Sequence, residues 1–223
     1  MAIPGPFLFL TMTQLQLTNL ALGKLAQLPI TSLASTTDAS AVAMNREWEA
    51  ALEEFLAEAP WNWAKTRDTL TESSPAPTFG WLSRFALPDD FVTLIGLNEI
   101  YSDTPSDLWE IEGGFIYTDE SSSSDPATID VEYIRKPTAS ELDTFLETFD
   151  PKAVPAFTTL LAVKVAPAVA QDGLTKAQQL LQQYYGLDLP KARTRNAMVN
   201  RPPPRFPSQT STALRARSTF TNR

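Results

Sequence analysis

Trp109-Glu110-Ile111-Glu112-Gly113-Gly114-Phe115-Ile116-Tyr117-Thr118 is the stretch that decides the fold class. Trp109, Ile111, Phe115 and Tyr117 flank a Gly-Gly pair, and glycine supplies the positive φ that a two-residue hairpin turn demands. The stretch predicts two antiparallel strands. Downstream, Ile129, Val131 and Tyr133 alternate with Thr128, Asp130 and Glu132, the period of a half-buried antiparallel strand. Upstream, Phe91-Val92-Thr93-Leu94-Ile95 reads as a buried strand, and Ser121 to Pro126 is a polar loop.

On both sides of this β unit the apolar period becomes helical. Leu15, Leu17, Leu20, Ala21, Leu25 and Leu28 predict a first helix over 13–28, stopped by Pro29. Ser40 is the expected N-cap of a second, running to about Ala59, with Met44, Trp48, Leu52, Phe55 and Leu56 on its apolar face. Pro60 closes it, and Trp61 and Trp63 are expected to wedge its end into the core. After Pro137, Thr138-Ala139-Ser140-Glu141 matches a capping box ahead of Leu142, Phe145, Leu146 and Phe149. Another helix follows Asp150-Pro151 and is expected to kink at Pro167. A last one, roughly Leu174 to Tyr185, places Leu174, Ala177, Leu181 and Tyr184 on one face. The expected fold is α+β: residues 13–75 and 138–189 as a discontinuous helical bundle, 76–137 as an inserted antiparallel β domain, and 190–223 as an extended basic Pro/Arg-rich tail.

Composition limits the chemistry. The 223 residues hold 43% apolar and 20% charged side chains, an ordinary globular balance. Cysteine and histidine are absent, which removes disulfides, thiolate metal sites and the usual general base at neutral pH. The apolar start, Met1 to Leu10, has no basic flank and is too short to span a membrane, and Met12 is a second candidate start. No membrane partner is expected.

Charge is distributed unevenly. Asp188 is the last acid, and eight of the 18 basic residues lie beyond it, leaving ten to face all 26 acids in the body. A body of −16 therefore carries a tail of +8. Such asymmetry marks an interaction arm or a solvated end. Arg201-Pro202-Pro203-Pro204-Arg205-Phe206-Pro207 is expected to be extended. At ~3 Å per residue the whole tail reaches on the order of 100 Å. Arg193, Arg195, Arg201, Arg205, Phe206, Arg215, Arg217 and Phe220 are the candidate partner-binding residues. Spaced Arg between Pro, Ser and Thr suits an acidic protein surface better than nucleic acid, which the −16 body repels.

No dinucleotide, phosphate-loop, nucleophile-elbow or zinc-protease motif occurs, and no catalytic, cofactor-binding or metal-binding residue is assigned. Carboxylate pairs such as Glu110 with Glu112, or Asp89 with Asp90, read as a solvated acidic face, since a glycosidase needs two acids in one cleft with opposed environments.

Asn19-Leu20-Ala21-Leu22-Gly23-Lys24-Leu25 with Ile30-Thr31-Ser32-Leu33 resembles the opening of the tail tubular protein A family, the head-to-tail adaptors of short-tailed bacteriophages. Ala59-Pro60-Trp61-Asn62-Trp63-Ala64 is similar to that family's Pro-Trp-Asn-aromatic-Ala signature. Leu87-Pro88-Asp89-Asp90-Phe91 resembles its segment leading into the β unit. Trp109 to Gly114 with Tyr117-Thr118-Asp119, Asp130 to Ile134, and Phe149-Asp150-Pro151 continue the likeness, which covers roughly Leu15 to Tyr185. Two departures stand out: Gly186 and Pro190 interrupt a helix that usually continues in the family, and the Pro/Arg-rich tail has no counterpart.

The resemblance implies a structural virion protein at the head-tail junction, assembled in the host cytoplasm, and not an enzyme. Its implied partners are further copies of itself in a dodecameric ring, the portal protein, and a tail nozzle or tail tubular protein B-like protein. Genomic DNA would pass through the ring without specific binding. The helical part would form the ring and the β unit would face the tail. Two other classes are weighed beside it: a nucleic-acid-binding protein using the basic tail, and a carboxylate-dependent glycan hydrolase.

Overall fold

The computed structural model describes residues 12–98, 100, 101, 108–119 and 126–199. The chain is α+β. Helices α1 (Gln14–Lys24) and α2 (Ala39–Ala57) come first. Strands β1 (Lys65–Thr71), β2 (Ser83–Ala86), β3 (Phe91–Leu97), β4 (Ile100–Tyr101), β5 (Trp109–Glu112), β6 (Phe115–Thr118) and β7 (Thr128–Arg135) follow. Helices α3 (Leu142–Glu147), α4 (Ala153–Val169), α5 (Gly173–Gln183) and α6 (Leu189–Val199) complete it, with a π-helical turn, Tyr184–Asp188, joining the last two.

Helix α4 lies at the centre of the helical half. It is apolar almost all round, and a helix of that kind must be buried on every side. Helices α1, α2, α5 and α6 pack against it. Trp61, Trp63, Phe149 and Phe157 gather around Phe55, with ring centroids 4.8–6.4 Å from it. Trp61 is buried and donates its indole N–H to the Phe55 carbonyl at 2.8 Å, so the tryptophan wedge forms as expected. No helix of the described residues is long and apolar enough to cross a membrane.

All strand pairs are antiparallel, in two sheets ordered β1-β7-β3-β4 and β2-β6-β5. The β5–β6 hairpin turns at Gly113 and Gly114 with φ of 56° and 83°, the left-handed pair anticipated for it. Leu70, Phe85, Leu97, Ile116, Ile129, Val131 and Tyr133 form a second core between the sheets. Strands β3 and β7 connect it to the helical core: Ile95 and Ile134 belong to the helical cluster, whereas Leu94 and Tyr133 belong to the sheet cluster. Adjacent residues of a strand point to opposite faces, so Leu94 and Ile95 are both buried, one in each core.

Several local expectations are corrected. Strand structure begins at Lys65, inside the stretch 13–75 read as helical. Strand β1, Lys-Thr-Arg-Asp-Thr-Leu-Thr, has one apolar residue and is held by its seven-residue register with β7. Helix α1 stops at Lys24, four residues before Leu28, because Ala26 takes a left-handed φ of 55°. The Ala26 and Gln27 N–H groups then close back on the Gly23 and Leu22 carbonyls, the paired bonds of a Schellman ending. Asp38, not Ser40, caps α2, accepting from the Ser40 and Ala41 N–H groups at 2.8 and 3.3 Å. The capping box expected at Thr138–Glu141 does not cap a helix, because α3 begins only at Leu142, with Glu141 at its N-cap and no side-chain bond there. A capping box does form at Thr13 and Gln16. Pro167 falls in the last turn of α4, which runs through it to Val169.

Candidate functional site

Residues 190–199, read from sequence as the start of an extended tail, form helix α6 instead. Pro190 is tolerated there because the preceding turn widens to a π pattern: Leu189 N–H bonds the Tyr184 carbonyl five residues back. The turn thus ends where proline offers no donor. Helix α6 then packs on its own body through Leu189 and Ala192, both buried in the helical core.

The end of α2 receives this helix. Pro60 halts α2 and leaves carbonyls without intrahelical partners. Just past the helix end, Asn196 donates Nδ2 to the Pro60 carbonyl at 2.8 Å. Its Oδ1 accepts from the Asn62 backbone N–H at 2.9 Å, while Asn62 Nδ2 donates to the Asn196 carbonyl at 3.0 Å. Asn62 belongs to the Pro-Trp-Asn motif, so the motif residue that sequence could not assign is half of a clamp. Asn196 had no distinguishing signal, because its partner lies 134 residues earlier.

Two of the eight candidate arm residues, Arg193 and Arg195, lie on α6, and both are engaged on the surface of the chain's own body. Arg193 donates to both the carbonyl and the carboxylate of Glu58, the C-cap of α2, where a cation also meets the negative end of the helix dipole. Arg195 Nε reaches Asp150 Oδ2 at 3.3 Å. Both are paired within the chain and both stay exposed. The cause is the continuation of helix past Pro190, which sets them three and five residues into a docked element. Arg201, Arg205, Phe206, Arg215, Arg217 and Phe220 lie outside the described residues.

Beside the clamp, Tyr184 is fully buried and its hydroxyl meets no partner among the described residues. Burial, then the Glu58 carboxylate, pushes its phenol far above the usual range. Asp188, also buried, accepts from Thr159 Oγ1 at 2.7 Å and Gln183 Nε2 at 3.0 Å.

Helix α5 departs most from the expected burial. Of the face Leu174, Ala177, Leu181 and Tyr184, the core takes Tyr184, and Ala177 is half-buried. Leu174 is 73% exposed and Leu181 39%, and Tyr185, one turn on, is 52% exposed. Six of the twelve exposed large apolar side chains among the described residues fall between Leu174 and Val199: these three with Leu187, Met198 and Val199. Exposed apolar side chains gathered on one helical run are the kind of surface that marks interaction sites. In the sheet half, Phe79 and Leu82 on the loop before β2 are also bare.

The acids do not converge. On the outer face of the four-stranded sheet, Lys65 and Arg67 both hold Glu132, at 3.0 and 3.3 Å, and Thr69 donates to Asp130 at 2.7 Å. Arg67, Thr69, Asp130 and Glu132 line an open depression of about 690 Å³. Glu110 and Glu112 share one face of β5 beside Arg84, Trp81 and Tyr117, and Glu110 accepts from the Trp81 indole at 3.1 Å. Asp90 holds the Tyr133 hydroxyl at 2.9 Å, and burial followed by that bond raises the Tyr133 phenol. Among the described residues no three acids lie close enough together to hold a metal ion. No family model matches the chain, and no curated protein matches it.

Proposed function

We propose that the chain is a structural virion protein, one subunit of an adaptor ring between portal and tail in a short-tailed phage. In this reading the helices form a bundle that builds the ring, the β unit faces the tail nozzle, and 200–223 form an extended arm. DNA passes through without specific binding, past acidic walls that offer no phosphate contacts. The ordered motifs resembling tail tubular protein A support it. The observation that carries it is the uncovered apolar row of Leu174 and Leu181 on α5 with Tyr185 and Leu187 on the π-helical turn that follows. A closed ring needs two different complementary patches on each subunit, and this row is suited to be one of them. Phe79 and Leu82, in the other half of the molecule, offer a second contact face.

The motif residues also have physical roles that a shared scaffold would keep. Asn19 bonds the Ile30 backbone in both directions, at 2.9 and 3.0 Å, fixing the loop after α1. Asn62 fixes the last helix. The experiment is a solution mass measurement, with and without a portal ring, followed by negative-stain imaging. Rings that seat on the portal are expected. A chain that stays monomeric in both conditions overturns the reading.

A further inference from the structure

Between α2 and the link from β7 to α3 runs a groove of about 180 Å³. Trp48 and Leu52 form one wall, Pro137, Ala139 and Leu142 the other, and Glu49 and Glu53 stand at its margin. Its chemistry is selective. The walls are apolar. Among the described residues Glu53 has only a distant cation, Lys136 at 3.9 Å, which also lines the groove, and Glu49 has no ion pair. The Trp48 indole N–H is buried and finds no acceptor among the described residues. An occupant suited to this groove has flat apolar rings and cations spaced to reach the two glutamates. That is an Arg-bearing polyproline segment, which docks on Trp/Pro walls in a preformed conformation.

The chain carries one such segment, Arg201-Pro202-Pro203-Pro204-Arg205-Phe206-Pro207, beginning just beyond the last described residue. We infer that this groove takes the Arg201–Pro207 segment of a neighbouring copy, with Arg201 and Arg205 paired to Glu49 and Glu53. The direction of α6 selects the neighbour. Arg193 meets Glu58 and Asn196 meets Pro60 and Asn62, so α6 runs along the end of α2 away from Trp48. A copy's own segment would have to double back along α2, whereas one arriving from outside would not. The inference rests on the adaptor reading only for the source of the neighbour.

The chain has no cysteine, so paired substitutions report this contact directly. In the full-length protein, Glu49→Cys with Arg205→Cys is expected to form covalent dimers and longer ladders with a bismaleimide cross-linker long enough to span a Glu–Arg ion pair, whose Cα atoms stand too far apart for a disulfide. The rate should exceed that of a Thr69→Cys with Arg205→Cys control by about tenfold or more, as the docked thiols share a high effective concentration. Glu53→Cys with Arg201→Cys gives a second pair, should the first fold poorly. An excess of a peptide spanning 200–208 should suppress the ladder, and the same peptide with both arginines changed to glutamate should not. Bridging no faster than the control, a monomer closed on itself, or indifference to the peptide would each overturn the inference. None of these bears on the adaptor reading, which the solution mass and the portal experiment decide.

Discussion

Asn62 and Asn196 hold each other through two hydrogen bonds of opposite sense, backbone N–H to side chain at 2.9 Å and side chain to carbonyl at 3.0 Å. A third, from Asn196 Nδ2 to Pro60, ties the same helix to the end of α2. These bonds, more than the exposed Arg193 and Arg195 ion pairs, fix α6, because surface ion pairs contribute little.

Replacing Asn196 by alanine strands the Asn62 N–H and the Pro60 carbonyl in a partly buried place. At about 1 kcal/mol net per bond, plus the stranded groups, the loss is about 2–3 kcal/mol. A urea denaturation midpoint unchanged from wild type would contradict the clamp.

Tyr184→Phe removes a buried hydroxyl that has no partner, so it should leave stability unchanged or raise it by up to about 1 kcal/mol. The phenols of Tyr184 and Tyr133 are raised on folding, so their protonated forms favour the folded state. Stability is then complete below the unfolded tyrosine value of about 10 and declines as pH rises above it. Thermal melts across alkaline pH should decline less steeply for Tyr184→Phe than for wild type.

Ala26 adopts φ 55° on an exposed turn, a conformation disfavoured for a side chain with a Cβ. Ala26→Gly relieves that cost of about 1–2 kcal/mol and restores some unfolded-state entropy, for a net gain below about 1 kcal/mol. A lower melting temperature would argue against the left-handed ending of α1.

Gly173 sits where α5 leaves α4, and a Cβ there would lie 2.2 Å from the Ala166 carbonyl oxygen and 2.7 Å from Pro167 Cα. Both are backbone atoms and cannot swing aside. Gly173→Ala is expected to cost about 1–3 kcal/mol, the range for overpacking, measurable by calorimetry.

Leu174→Lys and Tyr185→Lys alter exposed positions, so folding stability should stay within about 0.5 kcal/mol of wild type. If α5 is the ring contact, the same changes should abolish or greatly weaken self-association. Sedimentation velocity beside a thermal melt separates the two effects. Association unchanged in both variants would remove α5 from the interface.

Much of the fold was legible in particular residues. Gly113-Gly114 marked the hairpin, the alternation of Ile129, Val131 and Tyr133 marked β7, and Trp48, Leu52 and Phe55 marked the buried side of α2. Strand β1 was not legible, since Leu70 alone carries an apolar signal and pairing with β7 makes it a strand. Helix α6 was misread because Gly186 and Pro190 are local helix breakers, and only a π-helical turn packed onto α4 lets the chain pass through them. For the candidate site, the charge asymmetry was plain in the sequence. The fate of Arg193 and Arg195 was not, because Glu58 and Asp150 lie 135 and 45 residues away.

What the sequence alone determined is whatever depends on neighbours along the chain: periods of two and of three to four, turn glycines, the absence of cysteine and histidine, and a basic segment beyond Asp188. The tertiary structure decided which apolar faces found a cover. Leu174, Leu181 and Tyr184 share one helical face, yet Tyr184 is buried and the two leucines are bare. Periodicity fixes only which side chains point the same way. Whether another surface stands opposite them depends on contacts between distant parts of the chain, and a local pattern carries no record of those.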